Sequence, residues 1–182
     1  MGKNADAHAL QEKNAKIDSH FAFEGKYIKV RHDVIHTQPV KTWDIVVTRG
    51  AVAVIPIDSQ GRLILVEQWR RALEQITLEL PAGMLDPNEP PEVCAQRELQ
   101  EETGFKAGSL QSFGGCFSSP GSMAEYIYLY LGKDLTKSPL QADDTDLIDV
   151  RAVTLAEAKK MIEQGKISDA KTIVGILRYA GL

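Results

Sequence analysis

The sequence predicts an α/β fold, a sandwich around a mixed sheet with an antiparallel strand extension added near its N-terminal end. Three observations carry this. Strand-type apolar runs, rich in aromatic and β-branched residues, fill much of the stretch from Phe21 to Leu80. One helix pattern interrupts them at Pro91 to Thr103, and further strand patterns follow. Two helix patterns then close the chain, an order that makes a mixed sheet with helices on its faces and not a repeating βαβ array.

Residues 1–20 are polar and read as an arm with one or two loose helical turns around Ala9 to Ala15, since no core stripe would hold it. Residues 21–48 alternate Phe21, Phe23, Tyr27 and then Trp43, Ile45, Val47, the pattern of a strand extension. Ala51–Ile57 and Leu63–Val66 are near-continuous apolar runs around the turn Asp58 to Gly61, which predicts a hairpin buried on both faces. A short strand follows at Ile76 to Leu80. Pro90 and Pro91 suit the first turn of the central helix, and Gly104 suits the left-handed residue after its end. Leu110–Phe117, Ala124–Leu131 and Leu147–Val153 are further strands. Thr154 caps a helix closed by Gly165, and Ser168 is expected to cap the last, which runs to about Ala180. Residues 49–182 thus form the main domain.

The composition, 43% apolar and 25% charged, excludes a disordered or fibrous chain. A net charge of −4 argues against binding a nucleic acid backbone, which favours a basic excess. Cys94 and Cys116 are too few for a disulfide scaffold and lack metal-ligand spacing. No apolar run approaches the roughly 18 to 20 residues that span a bilayer, and the first twenty residues hold no apolar leader core. No membrane partner is expected; the expected location is the cytoplasm, with export left open.

The chemistry concentrates on the central helix. At 100° per residue, Glu98, Glu101 and Glu102 fall within an arc of about 100°. Like charges on one face repel, and a hard divalent cation with oxygen ligands offsets that repulsion. Arg97, four residues before Glu101, can neutralise or orient a carboxylate. A solvated acidic face with one Arg–Glu pair is the simpler alternative. The wider pattern decides between them. Gly83, five residues, Glu89, seven residues and then Arg97-Glu98-Leu99-Gln100-Glu101-Glu102-Thr103-Gly104-Phe105 resembles the complete signature of the Nudix hydrolases, at seven fixed and two bulky positions.

That resemblance implies an α/β/α sandwich and hydrolysis of a nucleoside diphosphate linked to another group. Glu98 and Glu102 match the principal metal ligands, Glu101 shares metal or water, and the Ala82 carbonyl matches a further ligand. Glu89 and Arg97 match positions that hold the loop and orient the carboxylates. Carboxylates suit Mg²⁺, with Mn²⁺ as an alternative and two or three ions per site. Pro120, sixteen residues after Gly104, resembles the marker of ADP-ribose pyrophosphatases and their nucleotide-sugar relatives; it also makes a good turn between strands. Glu125, placed by the pattern on the following strand, is a candidate general base or metal-assisting residue. The strand ending Gln68-Trp69-Arg70, followed by Glu79-Leu80-Pro81-Ala82-Gly83, resembles the same branch. Arg70 would bind a phosphate, and Glu79 would contact substrate or orient Arg70.

Met84, Arg49, Asp169 and Lys171 complete the expected substrate set. Asp169 and Lys171 read as an Asp-x-Lys in a first helical turn, where the dipole disfavours a lysine and side chains at i and i+2 diverge. An Asp-x-Lys there resembles nucleoside diphosphate sugar hydrolases more than ADP-ribose-specific ones. Phe21, Tyr27, Trp43 and Arg49 read first as core or interface residues, and second as candidates for base binding, in a strand extension that resembles the one exchanged between protomers of a homodimer in this branch. The expected activity is Mg²⁺-dependent hydrolysis of nucleoside diphosphate sugars to a nucleoside monophosphate and a sugar phosphate. The alternatives are an ADP-ribose-specific pyrophosphatase, giving AMP and ribose 5-phosphate, and a non-catalytic ligand sensor.

Overall fold

The computed structural model describes residues 3–141 and 147–181. The chain divides into two compact units, Met1–Thr48 with Ser119–Glu125, and Arg49–Ser118 with Tyr126–Leu182. The first holds helix α1 (Lys3–Lys13) and an antiparallel sheet in the order β1 (Ile17–Glu24), β2 (Lys29–Ile35), β3 (Lys41–Val47). Two features depart from the expected polar arm, of which residues 1–2 lie outside the described residues. The helix is continuous, and β1 begins at Ile17 inside the arm. Every residue of β1 is exposed, so the strand is held by its backbone ladder with β2 and not by a buried stripe. Polar contacts serve α1 in the same way: Lys41 Nζ lies 2.7 Å from His8 Nε2 and 3.5 Å from Glu12 Oε1. A hydrophobic pattern cannot announce elements that bury no apolar face. The segment 119–125 joins this unit through Val46, whose N–H donates to Ser122 O at 2.8 Å and whose carbonyl accepts from Ala124 N at 3.0 Å.

Among the described residues, the second unit is a sandwich of two sheets and three helices. One sheet has the order β10 (Ile148–Val153), β5 (Leu63–Arg70), β6 (Gln75–Glu79), all antiparallel. The other has the order β7 (Ala82–Met84), β4 (Ala51–Pro56), β9 (Tyr126–Lys137), β8 (Phe105–Phe117), with β4 and β9 parallel. Helix α2 (Pro91–Thr103) packs on β4, β7 and β8, while α3 (Leu155–Glu163) and α4 (Ala170–Tyr179) pack together and α4 contacts β4.

Strand β4 shows why its sequence is apolar without alternation. Val52 and Val54 join Cys94, Ala95 and Leu99 of α2 in one core. Ala53 and Ile55 face the larger core with Leu63, Leu65, Leu80, Leu129 and Ile176. Successive side chains point to opposite faces, and both faces are covered. The expected hairpin of Ala51–Ile57 with Leu63–Val66 is therefore right in burial and wrong in pairing. The two runs belong to different sheets, face each other across the core, and among the described residues pair only at the bridge Ile57–Leu63. The turn redirects the chain: Asp58 Oδ1 accepts from the N–H groups of Gln60 and Arg62 at 2.9 and 2.8 Å, and β4 takes β9 as its partner.

The helix limits follow local chemistry. Helix α2 spans Pro91–Thr103 as expected, and Gly104 ends it at φ 73°. Thr154 forms a reciprocal capping box with Glu157. Asp169, and not Ser168, caps α4: its carboxylate accepts from Thr172 N at 3.0 Å and from Thr172 Oγ1 at 2.6 Å.

Candidate active site

Helix α2 supplies the carboxylates. Cys94, Ala95, Leu99 and Thr103 bury one side of it and fix its rotation. Arg97 then becomes the hub of the acidic face. Its Nε and Nη2 bind Glu89 at 2.9 and 2.8 Å, and its Nη1 reaches Glu98 at 2.6 Å and Glu101 at 3.0 Å. Glu89 also accepts from the Asp86 N–H at 3.0 Å, which staples the loop entering the helix. The Arg97 guanidinium holds the Glu89 carboxyl down at about 2, well below its ordinary range. Met84 contributes its carbonyl to this network, 3.4 Å from Arg97 Nη2.

Glu98 and Glu102 behave differently. Burial pushes the Glu98 carboxyl up although Arg97 opposes it. Burial pushes Glu102 up to about 7, against the Ala82 N–H that donates to it at 2.9 Å. The Glu98 carboxylate raises Glu102 further, while Glu101 and Glu89 raise Glu98. Gly83 makes this arrangement sterically feasible: a Cβ there would lie 2.1 Å from Glu98 Cδ.

Among the described residues, no three His, Cys, Asp or Glu side chains are gathered in a ready metal-ligating arrangement. Glu98 and Glu101 lie instead on Arg97. The donor set nevertheless fits a hard divalent cation. It is all oxygen, and the two partly buried carboxyls that desolvation drives toward neutrality are those a cation would return to the charged form.

A second cluster surrounds Glu79 at the end of β6. Arg70 forks onto it, Nε to Oε1 at 2.7 Å and Nη2 to Oε2 at 2.6 Å, and Thr77 Oγ1 donates to Oε1 at 2.6 Å. Lys171 Nζ donates to Oε2 as well. Burial alone would raise the Glu79 carboxyl, but Arg70, Lys171 and Thr77 hold it at about 2. Arg70 and Lys171 also act on Glu102, opposing part of its rise, so the two clusters adjoin electrostatically.

Lys171 Nζ also lies 3.0 Å from Asp169 Oδ2. The expected divergence of these two side chains is overturned because Asp169 has extended backbone, φ −73° and ψ 125°, and stands before the helix. Their spacing is not that of two residues within one. Arg49 is exposed, with Nη1 3.9 Å from Asp86 Oδ1. Glu125 precedes β9 instead of lying on it, because the chain first exchanges backbone hydrogen bonds with Val46; within its own unit it accepts from Thr48 Oγ1 at 3.4 Å. Phe21, Tyr27 and Trp43 are exposed. Sequence reading assigned no role to Thr77 or Thr172. The buried Thr172 ties the first turn of α4 to the end of β6, accepting from Leu80 N at 2.8 Å. Threonines in apolar surroundings read as core, so no local pattern marks them.

The NUDIX domain model matches residues 47–173. The chain belongs to the Nudix family and is a Nudix pyrophosphohydrolase, on the branch whose members include proteins named ADP-ribose pyrophosphatase and GDP-mannose pyrophosphatase. It is 36% identical over 171 residues to the methanol dehydrogenase activator of Bacillus methanolicus, covering 92% of this chain and 91% of that one. Identity to the ADP-ribose pyrophosphatase of Bacillus subtilis (strain 168) is 38% over 135 residues, 73% of each chain. Identity to the GDP-mannose pyrophosphatase of Yersinia pestis (strain Pestoides F) is 31% over 140 residues, 72% of this chain and 70% of that one. The crystal structure of an ADP compounds hydrolase has the same fold, with TM-score 0.81 at 20% identity over 92% of each chain.

Proposed function

We propose that this protein hydrolyses the pyrophosphate bond of nucleoside diphosphate sugars, ADP-ribose among them, to a nucleoside monophosphate and a sugar phosphate. The observation that carries this reading is the adjacency of two opposite clusters, the carboxylates of α2 and the cations Arg70 and Lys171 around Glu79. A pyrophosphate needs both: cations on its oxygens, and carboxylates that hold its counter-ions. Glu98, Glu102 and the Ala82 carbonyl would hold Mg²⁺ or Mn²⁺, two or three ions in all, with Glu101 sharing. When bound, the metal would offset phosphate charge and polarise the P–O bonds. Arg97 orients Glu98 and Glu101, and the Glu89 staple keeps Arg97 in place. Glu79 aims the Arg70 fork, leaving Nη1 for an anionic oxygen. Glu125 is retained as the candidate general base, and Met84, Arg49 and Asp169 as residues at the edge of the substrate site.

A second reading, preference for ADP-ribose, is favoured by the 38% identity to the B. subtilis enzyme. It is favoured also by the internal roles that Asp169 and Lys171 take here as cap and Glu79 partner. A panel of nucleoside diphosphate sugars with Mg²⁺ and product identification tests both. Turnover of several sugars to monophosphate products supports the broad reading. A kcat/KM advantage for ADP-ribose above about a hundredfold supports the narrow one, and an inert protein that still binds would be a sensor.

The N-terminal sheet is proposed to form a homodimer by exchange of strands. The fully exposed β1, with Phe21 and Phe23 on it, supports this. Sedimentation of a 17–24 deletion against the full chain tests it, and an unchanged mass would remove the role.

A further inference from the structure

Thr77 lies on β6 two residues before Glu79, on the same face of the strand, and is buried. A valine has nearly the same shape and suits a strand equally well, so a buried hydroxyl at this position needs a use. The hydroxyl donates to Glu79 Oε1 at 2.6 Å, while the Gln68 carbonyl stands farther off at 3.4 Å. The donors on Glu79 are evenly divided. Oε1 takes Arg70 Nε at 2.7 Å and Thr77 Oγ1; Oε2 takes Arg70 Nη2 at 2.6 Å and Lys171 Nζ. These fill the roughly four acceptor sites of a carboxylate. The torsion that turns a glutamate carboxylate is soft, so its plane is set by its partners. With both oxygens filled the plane is fixed, and the planar guanidinium forked onto it is fixed as well. Without the Thr77 hydroxyl, Lys171 would pull on Oε2 with no matching donor on Oε1, and the carboxylate would turn and carry the fork with it. The Glu79 side chain is buried, whereas that of Arg70 is 38% exposed, so the fork is the part of this cluster that a ligand can reach.

From this we infer that Thr77 is a positioning residue, whose hydroxyl locks the Glu79 carboxylate and so aims the Arg70 guanidinium at an anionic oxygen of the substrate's pyrophosphate. The inference rests on the role proposed above for Arg70. Thr77 itself touches no substrate atom and acts through two side chains in series.

T77V and T77S test this, with inorganic pyrophosphate as the probe. With Mg²⁺ present, T77V should bind pyrophosphate about three- to tenfold more weakly than the wild type in titration calorimetry. T77A, which also lacks the hydroxyl, should behave alike, and T77S, which restores it, should bind within about twofold of the wild type. In an R70A background the T77V exchange should change affinity by less than about twofold, because the fork it aims is gone. Turnover gives a second readout. T77V should raise KM for ADP-ribose or GDP-mannose, whichever the wild type hydrolyses, about three- to tenfold with kcat within about twofold. Wild-type affinity in T77V and T77A would overturn the inference. So would a loss that persists in the R70A background, a loss that T77S does not recover, or a wild type that binds no pyrophosphate. Failure of the proposed function looks different: the wild type would turn over no nucleotide sugar, while the pyrophosphate titrations still decide the role of Thr77.

Discussion

The two charged clusters of the second unit are inverses of each other. Around Arg97, three carboxylates share one cation; around Glu79, two cations share one carboxylate. The first is left with excess negative charge, and its more deeply placed members, Glu98 on Arg97 and Glu102 beyond its reach, are pushed upward by burial. In the second, the two cations are matched by Glu79 and by Asp169, 3.0 Å from Lys171, and the central carboxyl is held at about 2. The first cluster suits a metal ion, and the second carries the Arg70 fork that suits a phosphate. A substrate whose phosphates carry metal ions unites them.

The comparison breaks most sharply at Glu102. E102Q removes the partly buried carboxylate charge with little change of shape. Its kcat should fall on the order of 10³-fold while the melting temperature is held or raised. Near wild-type turnover with Mg²⁺ would remove Glu102 from the metal site.

Gly83 tests the steric half of the same cluster. In G83A the new methyl would meet the Glu98 carboxylate at 2.1 Å, so Glu98 must swing away from Arg97. The fold should survive, while Mn²⁺ affinity measured by titration should fall about 10- to 100-fold. Undiminished affinity would show that Glu98 is not a ligand.

The Glu79 cluster is probed by K171A. Removing one of its two cations should cost about 1–3 kcal/mol at neutral pH. The pH dependence has a fixed sign. The Glu79 carboxyl lies below its ordinary 4.5, at about 2, so its stabilisation is complete above pH 4.5 and is lost as pH falls toward 2. Without Lys171 that carboxyl titrates higher, and melting temperatures should begin to fall at a higher pH than in the wild type. Superimposable pH profiles would mean that Arg70 alone holds Glu79.

The smallest effect separates the two residues before α4. D169A should lose about 1 kcal/mol as a missing helix cap, and S168A should change stability by less than about 0.5 kcal/mol. Equal effects from urea melts would contradict the observed cap.

How far each cluster could be read in advance follows from chain separation. Glu89, Arg97, Glu98 and Glu101 lie on one loop and one helix, so their spacing is already their geometry. Glu79 meets Arg70 through a strand pair and Lys171 through α4, 92 residues away. No local pattern encodes that meeting, and Asp169 and Lys171 converge because Asp169 caps the helix instead of standing within it. The β4–β5 hairpin failed for a related reason. Burial on both faces is visible in composition, but the choice of ladder partner is not.

The sequence by itself determined the central helix and its ends, the burial of β4 and β5, and the acidic face of α2. Proline, glycine and apolar periodicity act within a few residues, and so they are legible along a chain. Only the tertiary structure decided that β4 pairs with β9, that β1 forms without a buried face, and that Lys171 is spent on Glu79. Those outcomes depend on which surfaces remain unsatisfied once distant segments have packed, and that competition is settled in three dimensions.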